Sequence, residues 1–127
     1  MKLEHVALNV PDAQAAAAWY QTHLNLRVVK ASSASPYIHF LADEAGSMLE
    51  LYSNPAAPMP DYAVQDPVTL HLAFLAQDIA GERERLLAAG ARADGDIDTT
   101  PAGDQIAFLR DPWGVTLQLV KRVQPLR

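Results

Sequence analysis

The sequence contains no cysteine. This absence excludes disulfide bonds, thiolate nucleophiles and thiolate metal sites, and it leaves imidazole and oxygen as the good metal ligands of the chain. Lysine and arginine number only ten against fifteen acidic residues and form no basic block. The resulting net charge of −5 is typical of proteins that do not bind nucleic acid. No apolar run is long enough to span a bilayer, and the N-terminus lacks the pattern of a signal peptide. We therefore expect a soluble, cytoplasmic protein with a small-molecule substrate and neither a membrane nor a nucleic-acid partner.

What the sequence does contain is an internal repeat. The segment LEHVALNVPD, from Leu3, aligns with TLHLAFLAQD, from Thr69, at an offset of 66 residues. Further along, IHFLADEAGSMLELYS, from Ile38, aligns with IAFLRDPWGVTLQLVK, from Ile106, at an offset of 68. Matching residues in the same order along both halves indicate a duplicated module.

Each half predicts the same order of elements. An alternating strand is followed by a helix that Asp12 or Asp78 caps, then by three strands, of which the last two form a hairpin around Gly46 or Gly114. The predicted later strands are Arg27–Ala31, Tyr37–Ala42 and Met48–Ser53 in module one and, less clearly, Ala91–Asp98 in module two. The sequence therefore predicts an α+β fold of two tandem βαβββ modules within one domain, residues 1–127. Module one spans about 1–53 and module two about 68–123, and an exposed, proline-rich linker occupies 54–67.

Four polar residues lie on the first and last strands of the two modules. Because successive side chains of a strand point to opposite faces, polar residues that alternate with core-facing leucines point away from the helices. The residues concerned are His5, Glu50, His71 and Gln118. Two imidazoles and a carboxylate suit one divalent ion such as Zn, Ni, Co, Fe or Mn, and an amide oxygen can be a neutral fourth ligand. The alternative interpretation is a duplicated scaffold that keeps these polar positions without binding metal.

The same alternation predicts the lining of a pocket. Met48 and Tyr52 flank Glu50 on its own face of the strand. In YIHFL, assigning the apolar Ile and Phe to the helices leaves Tyr37 and His39 on the pocket face. Glu50 and His39 are then the candidate catalytic residues, with Glu50 as ligand and base and His39 as a second base. The alternative for His39 is a half-exposed polar residue without a catalytic role.

Five segments carry a resemblance to a known family. At LEHVALNVPD, WYQTHLNL, MLELY, LHLAF and FLRDPWGVTLQL the sequence resembles the vicinal oxygen chelate superfamily. That superfamily includes glyoxalase I, methylmalonyl-CoA epimerase, fosfomycin-resistance enzymes, bleomycin-binding proteins and extradiol dioxygenases. The resemblance covers essentially the whole chain. It implies a curved mixed sheet around a cavity and metal ligands at positions that correspond to His5, Glu50, His71 and Gln118.

The resemblance also implies a class of activity. A member of this kind is a glyoxalase I-like lyase, of lactoylglutathione lyase type, or an epimerase, acting through an enediolate or enolate on a substrate with two adjacent oxygens. Gln118 departs from bacterial-type glyoxalase I, in which the fourth ligand is usually Glu. Two His, one Glu and one Gln is the ligand set of the epimerase, with Glu and Gln exchanged between the modules. The alternative is a metal-free binding protein of the bleomycin-resistance kind.

The predicted sheets are small and have open edges. Such edges pair readily with another chain, so we expect a homodimer. The sequence is compatible both with pairing of the two modules within a chain and with their exchange between two chains.

Overall fold

The computed structural model describes residues 1–127 and divides them into two compact units, Met1–Pro60 and Asp61–Arg127. The first unit contains β1 (Val6–Asn9), α1 (Ala13–His23), β2 (Arg27–Ala31), β3 (His39–Ala42) and β4 (Met48–Tyr52). The second begins with a short 3₁₀ helix (Tyr62–Val64), followed by β5 (Leu72–Leu75), α2 (Ile79–Ala88), β6 (Arg92–Thr99), β7 (Gln105–Arg110) and β8 (Thr116–Lys121). The predicted α+β fold with a repeated βαβββ module is confirmed.

Both modules use the same sheet topology. The strand order is β1-β4-β3-β2 in module one and β5-β8-β7-β6 in module two. In each sheet the first strand of the module runs parallel to the last, while the other neighbours are antiparallel. A parallel pair requires a crossover connection, and the helix of each module lies within it. The beginning and the end of every module are thereby brought side by side.

Each helix begins at the predicted cap and covers one face of its sheet. The Asp12 carboxylate accepts a hydrogen bond from the backbone N–H of Ala15, and the Asp78 carboxylate accepts one from Gly81, both at 3.0 Å. Each bond satisfies an N–H group that the first turn of a helix leaves without an intrahelical partner. The helices pack on fully buried leucines of the strands: Leu41 and Leu51 in module one, Leu109 and Leu117 in module two. Neither helix is long and apolar enough to cross a membrane.

Two strand boundaries differ from those predicted in module one. β3 begins at His39, two residues after the predicted start, because Tyr37 has a φ of 57°. This left-handed conformation interrupts the alternation of side chains on which a strand depends. β4 ends at Tyr52, one residue earlier than predicted. In module two β6 spans Arg92–Thr99, one residue later at each end than the predicted strand.

The segment predicted as an exposed linker is partly built into module two. Tyr62, in the 3₁₀ helix, is buried with 5% of its surface exposed. The Ala63 backbone approaches the β7–β8 turn so closely that a Cβ atom on Gly114 would lie 2.8 Å from the Ala63 nitrogen. The prediction of an exposed linker is wrong for Tyr62, because a proline-rich composition indicates irregular backbone without excluding burial.

The two hairpin glycines provide a direct test of this close approach. Gly46 and Gly114 have nearly the same positive φ, 90° and 89°, but nothing lies within 4 Å of a Cβ built on Gly46. Gly46→Ala is therefore expected to lower the free energy of unfolding by about 1–2 kcal/mol, the cost of a left-handed alanine. Gly114→Ala is expected to lower it by a further ~1–3 kcal/mol from overpacking against Ala63. Urea denaturation of the two variants measures the difference, and equal losses would contradict the docking of the 3₁₀ helix on the turn.

Candidate functional site

In module one the structure brings His5 and Glu50 together. His5 lies just before β1, and β4 places Glu50 opposite Ala7, two residues further along the chain. The Nε2 atom of His5 is 3.2 Å from Oε2 of Glu50, and the side chains are 29% and 15% exposed. The other ring nitrogen of His5, Nδ1, is 2.7 Å from the Glu4 carboxylate. The His5 and Glu50 side chains are therefore in contact and partly exposed.

An aromatic residue that the sequence interpretation missed completes this face. Phe40 is the cross-strand partner of Glu50, and its ring contacts the His5 ring edge-on with 5.3 Å between the centroids. Directly opposite residues of an antiparallel pair point to the same face of the sheet. Phe40 thus lies on the side of Glu50 and His5. The sequence pattern assigns Phe40 to the helix face because it is apolar, although an aromatic ring can equally pack against an imidazole.

The predicted position of His39 is wrong. His39 pairs with Leu51, which is fully buried, so it lies on the helix side of the sheet and opposite to Glu50. Its Nδ1 atom is 2.7 Å from the Tyr37 carbonyl oxygen, which can only accept a hydrogen bond. The structure therefore does not bring His39 to Glu50. Tyr37 falls outside β3, so the alternation that placed it in the pocket does not extend to it.

Met48 and Tyr52 lie in β4, two residues before and two residues after Glu50. Strand alternation places all three side chains on one face. Both residues are partly exposed, and Tyr52 pairs with Asn9 of the parallel strand. The side-chain oxygen of the buried Asn9 accepts a hydrogen bond from the backbone N–H of Asn54 at 2.8 Å. The loop after β4 is thereby fixed beside this face.

Module two repeats this arrangement with His71 and Gln118. Gln118 lies opposite Ala73 of β5 and opposite Phe108 of β7. The ring of Phe108 contacts His71 edge-on with 5.5 Å between the centroids, as Phe40 contacts His5. Gln118 is 9% exposed, and its amide forms no hydrogen bond with the protein. An amide that no protein group binds is available to a ligand.

Both outward-facing histidines have an acceptor beside Nδ1. His5 has carboxylates at both ring nitrogens, Glu4 at 2.7 Å from Nδ1 and Glu50 at 3.2 Å from Nε2, so these contacts do not select one tautomer. Nδ1 of His71 is 2.8 Å from the Pro67 carbonyl oxygen, which can only accept, so Nδ1 carries the proton there and Nε2 is left as the electron-pair donor. A hydrogen bond that fixes the tautomer in this way is typical of histidine ligands of metal ions.

The donor atoms of module one fit a divalent ion. Two ligand atoms that each lie about 2.1 Å from an ion, at roughly a right angle, are about 3 Å apart. The observed separation of His5 Nε2 from Glu50 Oε2 is 3.2 Å. No three His, Cys, Asp or Glu side chains converge in the structure. Module one has the pair His5 and Glu50, and at the repeat positions module two has His71 and Gln118.

The family model described as the Glyoxalase/Bleomycin resistance protein/Dioxygenase superfamily matches residues 2–119. No curated protein matches the chain in sequence.

Several solved structures share the fold. A glyoxalase family protein from Enterococcus faecalis is 24% identical, with a TM-score of 0.71 over 94% of this chain and 96% of that one. A glyoxalase family protein from Bacillus cereus is 16% identical, with a TM-score of 0.81 over 98% of this chain and 95% of that one. The fosfomycin resistance protein FosX from Listeria monocytogenes, complexed with Mn(II) and a dihydroxypropylphosphonic acid, is 19% identical with a TM-score of 0.71. That match covers 93% of this chain and 87% of FosX.

The tautomer of His71 is open to measurement. At alkaline pH, where imidazole is neutral, His71 is expected to carry the proton on Nδ1 because that nitrogen faces the Pro67 carbonyl. Long-range ¹H–¹⁵N NMR of the imidazole rings distinguishes the tautomers, and His23 on α1 serves as a ring outside the site. An Nε2-protonated His71 would contradict the arrangement described.

Proposed function

The chain belongs to the glyoxalase/bleomycin resistance/dioxygenase superfamily, and from that premise we propose that it is a metal-dependent lyase or isomerase acting on a small substrate with two adjacent oxygens. The observation that carries the proposal is the 3.2 Å contact between His5 Nε2 and Glu50 Oε2. The repeat equivalents of these two residues are His71 and Gln118, which supply an Nε2 atom and an unpaired amide.

The metal ligands proposed are His5, Glu50, His71 and Gln118, and the ion is Zn, Ni, Co, Fe or Mn. A bound divalent ion of this kind acts as a Lewis acid toward substrate oxygens. FosX, which shares the fold, holds Mn(II) together with a small molecule that has two hydroxyl groups. The mixed nitrogen and oxygen donors of this chain are compatible with the same class of ion.

Proton transfer is assigned to Glu50. Its Oε2 atom lies against His5, which leaves Oε1 to take a proton from a substrate carbon or return one to it. The neutral Gln118 amide cannot perform this step, and His39 lies on the other face of the sheet. One carboxylate therefore carries the proton in both directions, as an isomerase or a glyoxalase-type lyase can require.

The substrate pocket is assigned to the outward face of β4. Met48 and Tyr52 flank Glu50 and are partly exposed, so they can contact a small ligand beside the carboxylate. Phe40 joins them as an apolar wall. The edges of the two sheets support the homodimer that the sequence predicts.

A second candidate is a metal-free binding protein of the bleomycin-resistance kind. Two observations favour it: the neutral amide of Gln118 in place of a fourth charged ligand, and the aromatic rings of Phe40 and Phe108 beside the histidines. Aromatic faces attract organic cations and planar ligands. In this case the polar residues would orient the ligand without holding an ion.

Removal of the Glu50 charge tests the metal-dependent proposal. Glu50→Gln keeps the shape of the side chain and is expected to weaken binding of Zn²⁺ or Mn²⁺ by at least about 10-fold, because the loss of a ligand exceeds the loss of an outer-shell partner. Glu44→Gln, at an exposed position outside the set, is the matched control. Isothermal titration calorimetry gives the affinities. Equal affinities in the two variants, or a parent that binds neither ion, would reject the metal site and favour the binding protein.

Gln118→Glu tests the fourth ligand. The added carboxylate is buried and has no nearby partner, so the metal-free variant is expected to lose roughly 1–3 kcal/mol of stability. With a divalent ion bound the charge is compensated, and the melting temperature is expected to rise more on metal addition in the variant than in the parent. Differential scanning fluorimetry with and without Zn²⁺ measures both effects. An identical metal-induced shift in parent and variant would show that Gln118 does not face the ion.

A further inference from the structure

A buried arginine connects the 3₁₀ helix to the second sheet. Arg110 ends β7, and its Nε atom donates to the Asp94 carboxylate of β6 at 2.8 Å. Its Nη1 donates to the Tyr62 carbonyl at 2.8 Å and its Nη2 to the Gln65 carbonyl at 2.6 Å. A planar guanidinium can satisfy several acceptors at once in a fixed geometry, which a lysine cannot reproduce. Arg110 therefore holds both ends of the Tyr62–Gln65 segment on the sheet.

The chain continues from this clamp to His71 through a short, hydrogen-bonded path. The carbonyls of Gln65 and Pro67 are two residues apart, which limits their separation to roughly 7 Å. Between them the Asp66 carboxylate accepts from the Val68 N–H at 2.8 Å, and the Asp66 carbonyl accepts from the Thr69 N–H at 2.9 Å. These bonds fix a turn, and the Pro67 carbonyl on that turn accepts from Nδ1 of His71.

We propose that Arg110 is a positioning residue for His71. By clamping Tyr62–Gln65 it sets the place of the Pro67 carbonyl, and that carbonyl keeps the proton of His71 on Nδ1 and leaves Nε2 free to bind an ion. The importance of Nε2 rests on the proposed function, whereas the coupling between Arg110 and the imidazole does not.

Module one lacks this device. The repeat equivalent of Arg110 is Ala42, which has no donor, and His5 is held by the adjacent Glu4 carboxylate. Nδ1 of His5 therefore faces an exposed carboxylate, whereas Nδ1 of His71 faces a backbone carbonyl on the segment that Arg110 holds. Because a backbone carbonyl is neutral, it orients the His71 ring without adding charge beside it.

The chain offers a matched control for the clamp. Arg122, just after β8, forms the other arginine–aspartate pair of this module, with Nη1 donating at 2.8 Å to Asp104, just before β7. This ion pair does not involve the Tyr62–Gln65 segment. Arg122→Lys therefore perturbs an ion pair of the same module without loosening the path to His71.

The experiment compares Arg110→Lys with Arg122→Lys by imidazole ¹H–¹⁵N NMR of the metal-free protein at alkaline pH. We expect His71 to be Nδ1-protonated in the parent and in Arg122→Lys, and to populate both tautomers in Arg110→Lys. Zn²⁺ affinity is expected to fall about 10- to 100-fold in Arg110→Lys, as for other outer-shell losses, and to be unchanged in Arg122→Lys.

Two substitutions of Asp66 test the same coupling if Arg110→Lys does not fold. Asp66 is exposed, so replacing it leaves the core intact. Asp66→Ala removes the side-chain acceptor of the turn and is expected to mix the His71 tautomers, while Asp66→Asn retains an acceptor and is expected to restore Nδ1 protonation.

The outcomes separate the inference from the proposed function. A parent that binds no Zn²⁺ contradicts the proposed function, while the tautomers still test the clamp. His71 remaining Nδ1-protonated in Asp66→Ala and in every folded Arg110 variant would overturn the inference. An equal tautomer shift in Arg122→Lys would overturn it as well, because the shift would then reflect general destabilisation.

Discussion

The parallel pairing of the first strand of each module with its last is the constraint on which the site depends. The pairing places Glu50 opposite Ala7 and Gln118 opposite Ala73, and each histidine lies two residues before that alanine. A shift of one residue would turn these side chains to the helix face. The neighbouring leucines, Leu51 and Leu117, are fully buried, and a shift of one residue would expose them. Their burial therefore stabilises the observed register.

The duplicated scaffold carries unlike chemistry in its two halves. Module one surrounds His5 with carboxylates, Glu4 at Nδ1 and Glu50 at Nε2. In module two the corresponding groups are neutral: the Pro67 carbonyl faces Nδ1 of His71, and Gln118 occupies the repeat position of Glu50. This difference supports the proposal that Glu50, the one carboxylate among the four proposed ligands, transfers the proton.

Most of the fold followed from the sequence because the repeat allows each half to test the other. The matched histidines and the alternation with Leu51 and Leu117 predicted the strands and the outward faces of the first and last strands. The assignment of His39 failed for a physical reason: β3 has an apolar residue on both faces, so alternation alone cannot tell which faces the helices. The match of Phe40 with Phe108 at repeat-equivalent positions is the signal that could have identified the aromatic wall.

The burial of Tyr62 could not be predicted in the same way. It depends on Arg110, which is distant in sequence, has no equivalent in module one and binds backbone carbonyls that carry no side-chain signature. Every residue type has a backbone carbonyl, so the identities of Tyr62 and Gln65 do not indicate that Arg110 binds them.

The central claim is the proposal that His5 and His71 are ligands of a divalent ion, and paramagnetic NMR tests it most directly. Mn²⁺ is added at less than one equivalent to ¹⁵N-histidine-labelled protein, and the broadening of the four imidazole signals is followed. The account predicts that the His5 and His71 signals broaden together while those of His23 and His39 broaden much less. Broadening of only one of the two ligands, or uniform broadening of all four rings, would contradict it.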